Sequence, residues 1–219
     1  MNGILVIDKP SGPTSHDICQ HFKRQLGAKK VGHAGTLDPL ATGVLILLID
    51  GATKLQSIFL GKDKEYQFTM RLGVETDTYD SEGKVVRENP VQDVILSGAK
   101  NLLESLLPQF TGEILQTPPP FSAIKKNGTP LYKLARRGEK VEPAPRKITV
   151  YSLEIISPLP LGERVGVRGE VTLKARCSSG TYIRSIAHDL GQLLGCGAHI
   201  TQLRRLRSEP FGLEDAIVI

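Results

Sequence analysis

Tryptophan is absent from this 219-residue chain and aromatic residues make up only 5% of it, so each tyrosine in a structured setting stands out. Cysteine is scarce. Cys19, Cys177 and Cys196 lie far apart, are odd in number and form no C-x-x-C pair. That argues against a disulfide framework or zinc-finger spacing and fits reduced, mostly buried thiols of a cytoplasmic protein. No apolar run reaches the length needed to cross a bilayer. The apolar stretch at residues 3–7 is too short for a signal peptide, and no cleavage site follows it. There is no GxGxxG, Walker or GxSxG motif. His16, His21, His33, His188 and His199 do not fall at metal-ligand spacing. These absences favour a cofactor-free protein with no metal.

What is present is an ordinary globular composition, 40% hydrophobic and 23% charged, long enough for one large domain or one domain plus a small insertion. The net charge of +5 is unevenly placed. Residues 125–147 hold eight basic side chains (Lys125, Lys126, Lys133, Arg136, Arg137, Lys140, Arg146 and Lys147) against Glu139 and Glu142. That segment nets +6 and the remainder −1. A local positive patch suits a phosphate backbone.

The most unusual stretch is residues 31–43, with three glycines, one histidine, one aspartate and one proline in 13 residues. It has neither helical nor strand period and runs straight into an apolar run, 44–49, that reads as a buried strand. Pro39 pushes Asp38 toward extended geometry. A carboxylate at the lip of a buried strand is one way to hold a reactive group. An Asp-Pro pair more often just starts a solvated turn, and the loop alone favours that reading.

In order, residues 3–7 read as a strand and 9–13 as a turn cluster. A helix follows, capped by Thr14 or Ser15 with Asp17 completing a capping box and stopped by Gly27. A short helix is expected over 53–59. Residues 64–72 alternate, with Tyr66, Phe68, Met70 and Leu72 on one face. Residues 73–83 read as a solvated polar loop, because Glu75, Asp77, Asp80 and Glu82 lack calcium-loop spacing. A helix is expected over 91–107 and a short one over 131–137. Strands are expected over 148–156, 170–177 and 198–206, and a Gly/Pro-rich tip over 157–169. A helix from Ile183 carries an apolar stripe. Arg184 lies off that stripe at the positive end of the helix dipole, where a cation is explained better by an anionic partner than by helix stability. Irregular alternation of helices with polarity-alternating strands favours an α+β fold. The residue set suits an RNA enzyme that extrudes a base, stacks it on an aromatic ring and attacks with a carboxylate.

The chain resembles the TruB family of tRNA pseudouridine synthases. The motif Gly32-His33-x-Gly35-x-Leu37-Asp38-Pro39-Leu40-Ala41-x-Gly43 is close to that family's active-site signature. Four further blocks match in family order: Asp8-Lys9-Pro10, Lys64-Glu65-Tyr66, Ser179 through Ser185, and Gly195 through His199 followed by Leu203-Arg204-Arg205. The resemblance implies a pseudouridine synthase fold, a mixed and mainly antiparallel central sheet flanked by helices and loops. It implies one catalytic domain over 1–219 with a basic, tRNA-contacting excursion at 114–147. Family members often carry a C-terminal PUA domain; only twelve residues follow Arg207, so a short form without that domain is expected.

The implied reaction converts the uridine of the tRNA T-loop (position 55 in tRNA numbering) to pseudouridine. Asp38 would be the nucleophile, at the sugar C1′ or the base C6. Tyr66 would stack on the flipped base and assist proton removal from C5, and Arg184 would pair with Asp38. Tyr182 and Leu203 would line the uracil pocket, His33 would hold the extruded T-loop, and Lys9 would buttress the site on the substrate-binding side. The expected partner is tRNA through its T-loop and T-stem, with no membrane and no small-molecule cofactor, the protein being a cytoplasmic monomer. The alternative is a non-catalytic RNA-binding or tRNA-chaperone module of the same fold. A carboxylate-dependent glycosidase would want a second cooperating acid.

Overall fold

In the computed structural model the structure describes residues 2–89, 101–126, 128–139, 141, 143–157 and 169–219. The chain divides into two compact units. The first comprises residues 1–67, 174–180 and 202–219, and the second residues 68–173 and 181–201.

The first unit is built on the strand Thr42–Ile49, whose apolar residues Val44 to Leu48 are all completely buried. Each such side chain contributes about 1.5–3 kcal/mol when removed from water. Both edges of the strand are paired. Gly3–Lys9 runs antiparallel to it from Gly3↔Ile49 to Lys9↔Gly43, and Val31–His33 also pairs antiparallel. The end of Ala198–Ser208 pairs with it in parallel at Arg204↔Thr42 and Arg205↔Gly43. Ile217–Val218 adds a parallel pair to Gly3–Lys9. The sheet is therefore mixed and mainly antiparallel. One face buries Val6, Ala34, Val44, Ile46 and Leu48 under Phe59, Phe211 and Leu213.

The helix Ser15–Gln25 starts as expected. Thr14 and Asp17 form a reciprocal capping box, and Ile18, Cys19 and Phe22 face inward. Gly27 takes a left-handed conformation, φ 58°, after the last turn. The helix expected over 53–59 resolves into a 3-10 segment, Asp50–Leu55, and a single α-turn, Gln56–Leu60.

In the second unit, Gly112–Gln116 pairs antiparallel with Arg146–Val150 of the strand Arg146–Ser157. Residues 114–116 and 146–147, expected in the basic excursion, are thus sheet residues. The excursion between them carries the two-residue strands Lys125–Lys126 and Thr129–Pro130 and the helix Leu131–Arg136. Helix is described over 101–106; residues 91–100 of the expected helix, Lys140 of the basic segment and most of the 157–169 tip lie outside the described residues.

The polar segment 73–83 departs from expectation. It is not a solvated loop. Val74–Thr76 forms a strand paired with Val85–Glu88, and Asp80 makes a parallel bridge to Ile200. Glu75, Thr76 and Asp80 are buried. The physical reason is that their polar atoms have partners: Gln192 donates to Glu75 at 2.7 Å, and the Thr76 hydroxyl to the Asp80 carbonyl at 2.7 Å. Charge count alone does not expose a residue whose hydrogen bonds are met internally. The helix Ile183–Leu193 begins where expected and buries Ile183, Ile186, Ala187 and Leu190. All three cysteines are free and buried, as their sequence pattern suggested.

Candidate active site

The loop that carries Asp38 is held by its own backbone carbonyls. An irregular buried loop must find a partner for each carbonyl or lose stability. Here six of the seven from Gly35 to Ala41 have one. Arg205 donates to the carbonyls of Gly35 at 3.2 Å and Thr36 at 3.4 Å. Ser15 donates its hydroxyl to the Leu37 carbonyl at 3.0 Å and accepts the Leu37 N–H at 2.8 Å. The Asp38 carbonyl accepts the Ala41 N–H at 3.0 Å, and the Pro39 carbonyl accepts the Gly12 N–H at 2.9 Å. Lys9 donates to Pro39 at 3.1 Å and Ala41 at 2.7 Å. The Asp38 residue itself stays only half-buried. A carboxylate is thus presented on a rigid loop, the arrangement a nucleophile needs.

Lys9, expected among the substrate-binding residues, is completely buried. Its ammonium also donates to the Pro10 carbonyl at 2.8 Å. Three donors meet three carbonyls, so its place is that of a buttress under the loop. Gly43, which closes the motif, is required by geometry: its φ is 100°, and a Cβ would run into the Arg205 backbone paired beside it.

Tyr66 lies in the strand Lys64–Leu72 and is 9% exposed. Burial raises its phenol pKa, while the neighbouring Arg205 guanidinium acts in the opposite sense. Asp38 is close enough to add to the upward shift. The structure therefore brings Tyr66 and Asp38 into one electrostatic neighbourhood and keeps the phenol protonated at neutral pH. Burial, with Arg205 and His16 as neighbouring positive charges, holds the His33 pKa below its ordinary value, so the ring is neutral at pH 7. The His33 Nδ1 is buried without a hydrogen-bond partner. Leu203 is buried two residues before Arg205, on the same face of its strand.

Tyr182 and Arg184 belong to the second unit. Tyr182 caps the helix Ile183–Leu193; its N–H donates to Gln116 Oε1 at 2.8 Å, and its carbonyl accepts from Gln116 Nε2 at 2.9 Å. The Arg146 guanidinium lies 4.8 Å over its ring. Arg184, which the resemblance pairs with Asp38, is 5% exposed, and the carboxylate described beside it is that of Asp80. Nη1 lies 3.2 Å from Asp80 Oδ2 and donates to the Thr78 carbonyl at 2.8 Å, and Nη2 donates to the Phe121 carbonyl at 3.1 Å. Asp80 in turn accepts from the Thr78 hydroxyl at 2.6 Å and the Glu82 N–H at 3.1 Å.

Sequence reasoning missed three residues here. Asp80 looked like one of four loop acids. Ser15 looked only like an alternative cap to Thr14. Arg205 looked like the middle of a basic strand end. The available signal for Arg205 was strand parity, since it shares a face with buried Leu203 while Arg204 does not. On the excursion, Lys125, Lys126, Lys133, Arg136 and Arg137 are exposed. Arg136 also sits 5.6 Å over the Tyr132 ring.

Comparison with known proteins places the chain in a family. Residues 23–183 match the TruB family pseudouridylate synthase N-terminal domain, and residues 184–219 match the tRNA pseudouridylate synthase B C-terminal domain. The chain is 48% identical over 219 residues to tRNA pseudouridine synthase B of Aquifex aeolicus, covering 99% of this chain and 72% of that one. It is 46% identical over 219 residues to the enzyme of the same name from Pseudomonas aeruginosa, covering 100% of this chain and 68% of that one. Among solved structures, one described as a Cbf5-Nop10-Gar1 complex superposes with a TM-score of 0.72 at 31% identity, over 99% of this chain and 52% of that one. This chain thus spans about half of that solved chain. With the motif, the pinned aspartate loop and the fold in agreement over its length, the chain belongs to the TruB family of pseudouridylate synthases.

Proposed function

We propose that this protein isomerises uridine to pseudouridine in the T-loop of tRNA, at position 55, with Asp38 as nucleophile. The observation that carries the reading is the Asp38 loop: six of its seven carbonyls are met from within, and the carboxylate of half-exposed Asp38 lies near a protonated, buried Tyr66. Asp38 adds to C1′ or C6 of the flipped nucleotide, the glycosidic C1′–N1 bond breaks, the base turns and rejoins through C5, the bond to Asp38 breaks, and N1 takes up a proton. The C5 proton then leaves to solvent. Tyr66 stacks on the base and assists that proton loss. Its protonated phenol acts as donor or relay and not as a standing phenolate. Neutral His33 offers its unpartnered Nδ1 to the extruded T-loop. Tyr182 and Leu203 contact the uracil, Arg184 serves the charged site, and Lys9 acts through the loop it supports. The exposed cations of the excursion bind tRNA phosphates, adding salt-dependent affinity without base reading. The protein works as a cytoplasmic monomer.

The test is tritium release from a tRNA transcript labelled at uridine C5, comparing the native chain with Asp38→Asn. Stoichiometric release by the native chain and none by the variant, both binding tRNA equally, is expected. Binding without release by the native chain would overturn the isomerase reading in favour of a non-catalytic module. Equal release by both would show that another residue is the nucleophile.

A further inference from the structure

We propose that Arg205 is a positioning residue that fixes the Asp38 loop in place beside the Tyr66 phenol; the proposal rests on the isomerase reading above. Arg205 is 1% exposed and is one of the largest fully buried side chains among the described residues. A buried guanidinium is tolerated only where its donors are met. It is met entirely by this site. Nε donates to the Val44 carbonyl at 2.7 Å, just past the loop's exit, and the Nη atoms donate to Gly35 and Thr36, just before Asp38. The Tyr66 phenol lies within reach of its charge, on the neighbouring strand Lys64–Leu72.

One rigid, planar fork therefore holds both the entry of the loop and its exit, beside the aromatic platform. Lysine could not do this, since a single ammonium cannot span separated acceptors as a guanidinium does. Two of the motif's glycines lie beside the same residue. A Cβ on Gly35 would sit 3.5 Å from Arg205 Nη1, and one on Gly43 would strike the Arg205 backbone. The register Arg205↔Gly43 places Arg205 beside the loop before any substrate is present. Arg205 itself touches neither a reacting atom nor bulk solvent, so it acts through Asp38 and Tyr66.

The experiment compares native chain, Arg205→Lys, Tyr66→Phe and the double variant, reading tritium release, tRNA affinity and thermal unfolding. For Arg205→Lys we expect kcat to fall about 30–100-fold, the effect of a misplacement near 1 Å, with tRNA Kd unchanged within threefold. In the Tyr66→Phe background the same substitution should cost less than a third as much, because the shared contact is already gone. A loss of melting temperature with native kcat would reduce Arg205 to a core residue and overturn the proposal. A loss confined to KM and Kd would make it an RNA ligand and overturn it too, as would effects that simply multiply in the double variant. If Arg205→Lys does not fold, the 15N resonances of the Arg205 guanidinium in native and Tyr66→Phe proteins decide. Shifted resonances support the link, and unshifted ones overturn it. Failure of the native chain to release tritium would instead sink the isomerase reading.

Discussion

Replacing Lys9 with methionine tests how the nucleophile loop is held. The ammonium is completely buried and makes three hydrogen bonds, at 2.8, 3.1 and 2.7 Å, to the carbonyls of Pro10, Pro39 and Ala41. Hydrogen bonds to a charged group contribute about 1.5–3 kcal/mol each, so the gross interaction is roughly 5–9 kcal/mol. Against it stands the desolvation of the ammonium, several kcal/mol, which methionine does not incur. The Pro39 carbonyl keeps the Gly12 N–H as a partner, but the Ala41 carbonyl has no other described donor. The net expectation is a loss of about 2–4 kcal/mol, measured by urea unfolding at pH 7.5. A loop freed at Pro39 and Ala41 shifts Asp38, and kcat should fall about 10–100-fold. Affinity for tRNA and its salt slope should not change, because a buried ammonium releases no phosphate counterion. Native stability with native turnover would refute the clamp. A salt slope reduced by about one would show instead that Lys9 meets a phosphate.

Two further outcomes follow from the second unit. Asp80→Asn removes the carboxylate described 3.2 Å from the buried Arg184 guanidinium, and should cost about 2–4 kcal/mol in chemical denaturation; an unchanged midpoint would show that the pair contributes nothing. Asp189, half-buried in the helix Ile183–Leu193, has its carboxyl pushed up from 3.8 to about 6 by burial. The folded state then binds a proton that the unfolded chain has released, so this residue's contribution to stability falls as pH rises from about 4 to 6. Asp189→Asn should raise stability at pH 7 by about 1–3 kcal/mol and flatten that part of the profile. A variant no more stable than native at pH 7 would refute the assigned shift.

Local signals in the sequence specified much of this molecule. The capping box at Thr14 and Asp17, the apolar run at 44–49 and the alternation from Tyr66 to Leu72 each depend on neighbours a few residues apart, so they are legible without a fold. The motif around Asp38, with its glycines and proline, marked the loop, and the awkward placement of Arg184 announced that an anion must lie near it. The tertiary structure alone decided which anion the described contacts would show, and why segment 73–83 is buried despite its charges. It alone turned Ser15 and Arg205 into supports of the loop and aimed the Lys9 ammonium at that loop's carbonyls. Those roles arise from contacts across 22 to 170 positions in the chain. A lysine or arginine reads as a surface cation in sequence because solvation is its default. Only folding around it, with a carbonyl aimed at each donor, makes it an internal brace.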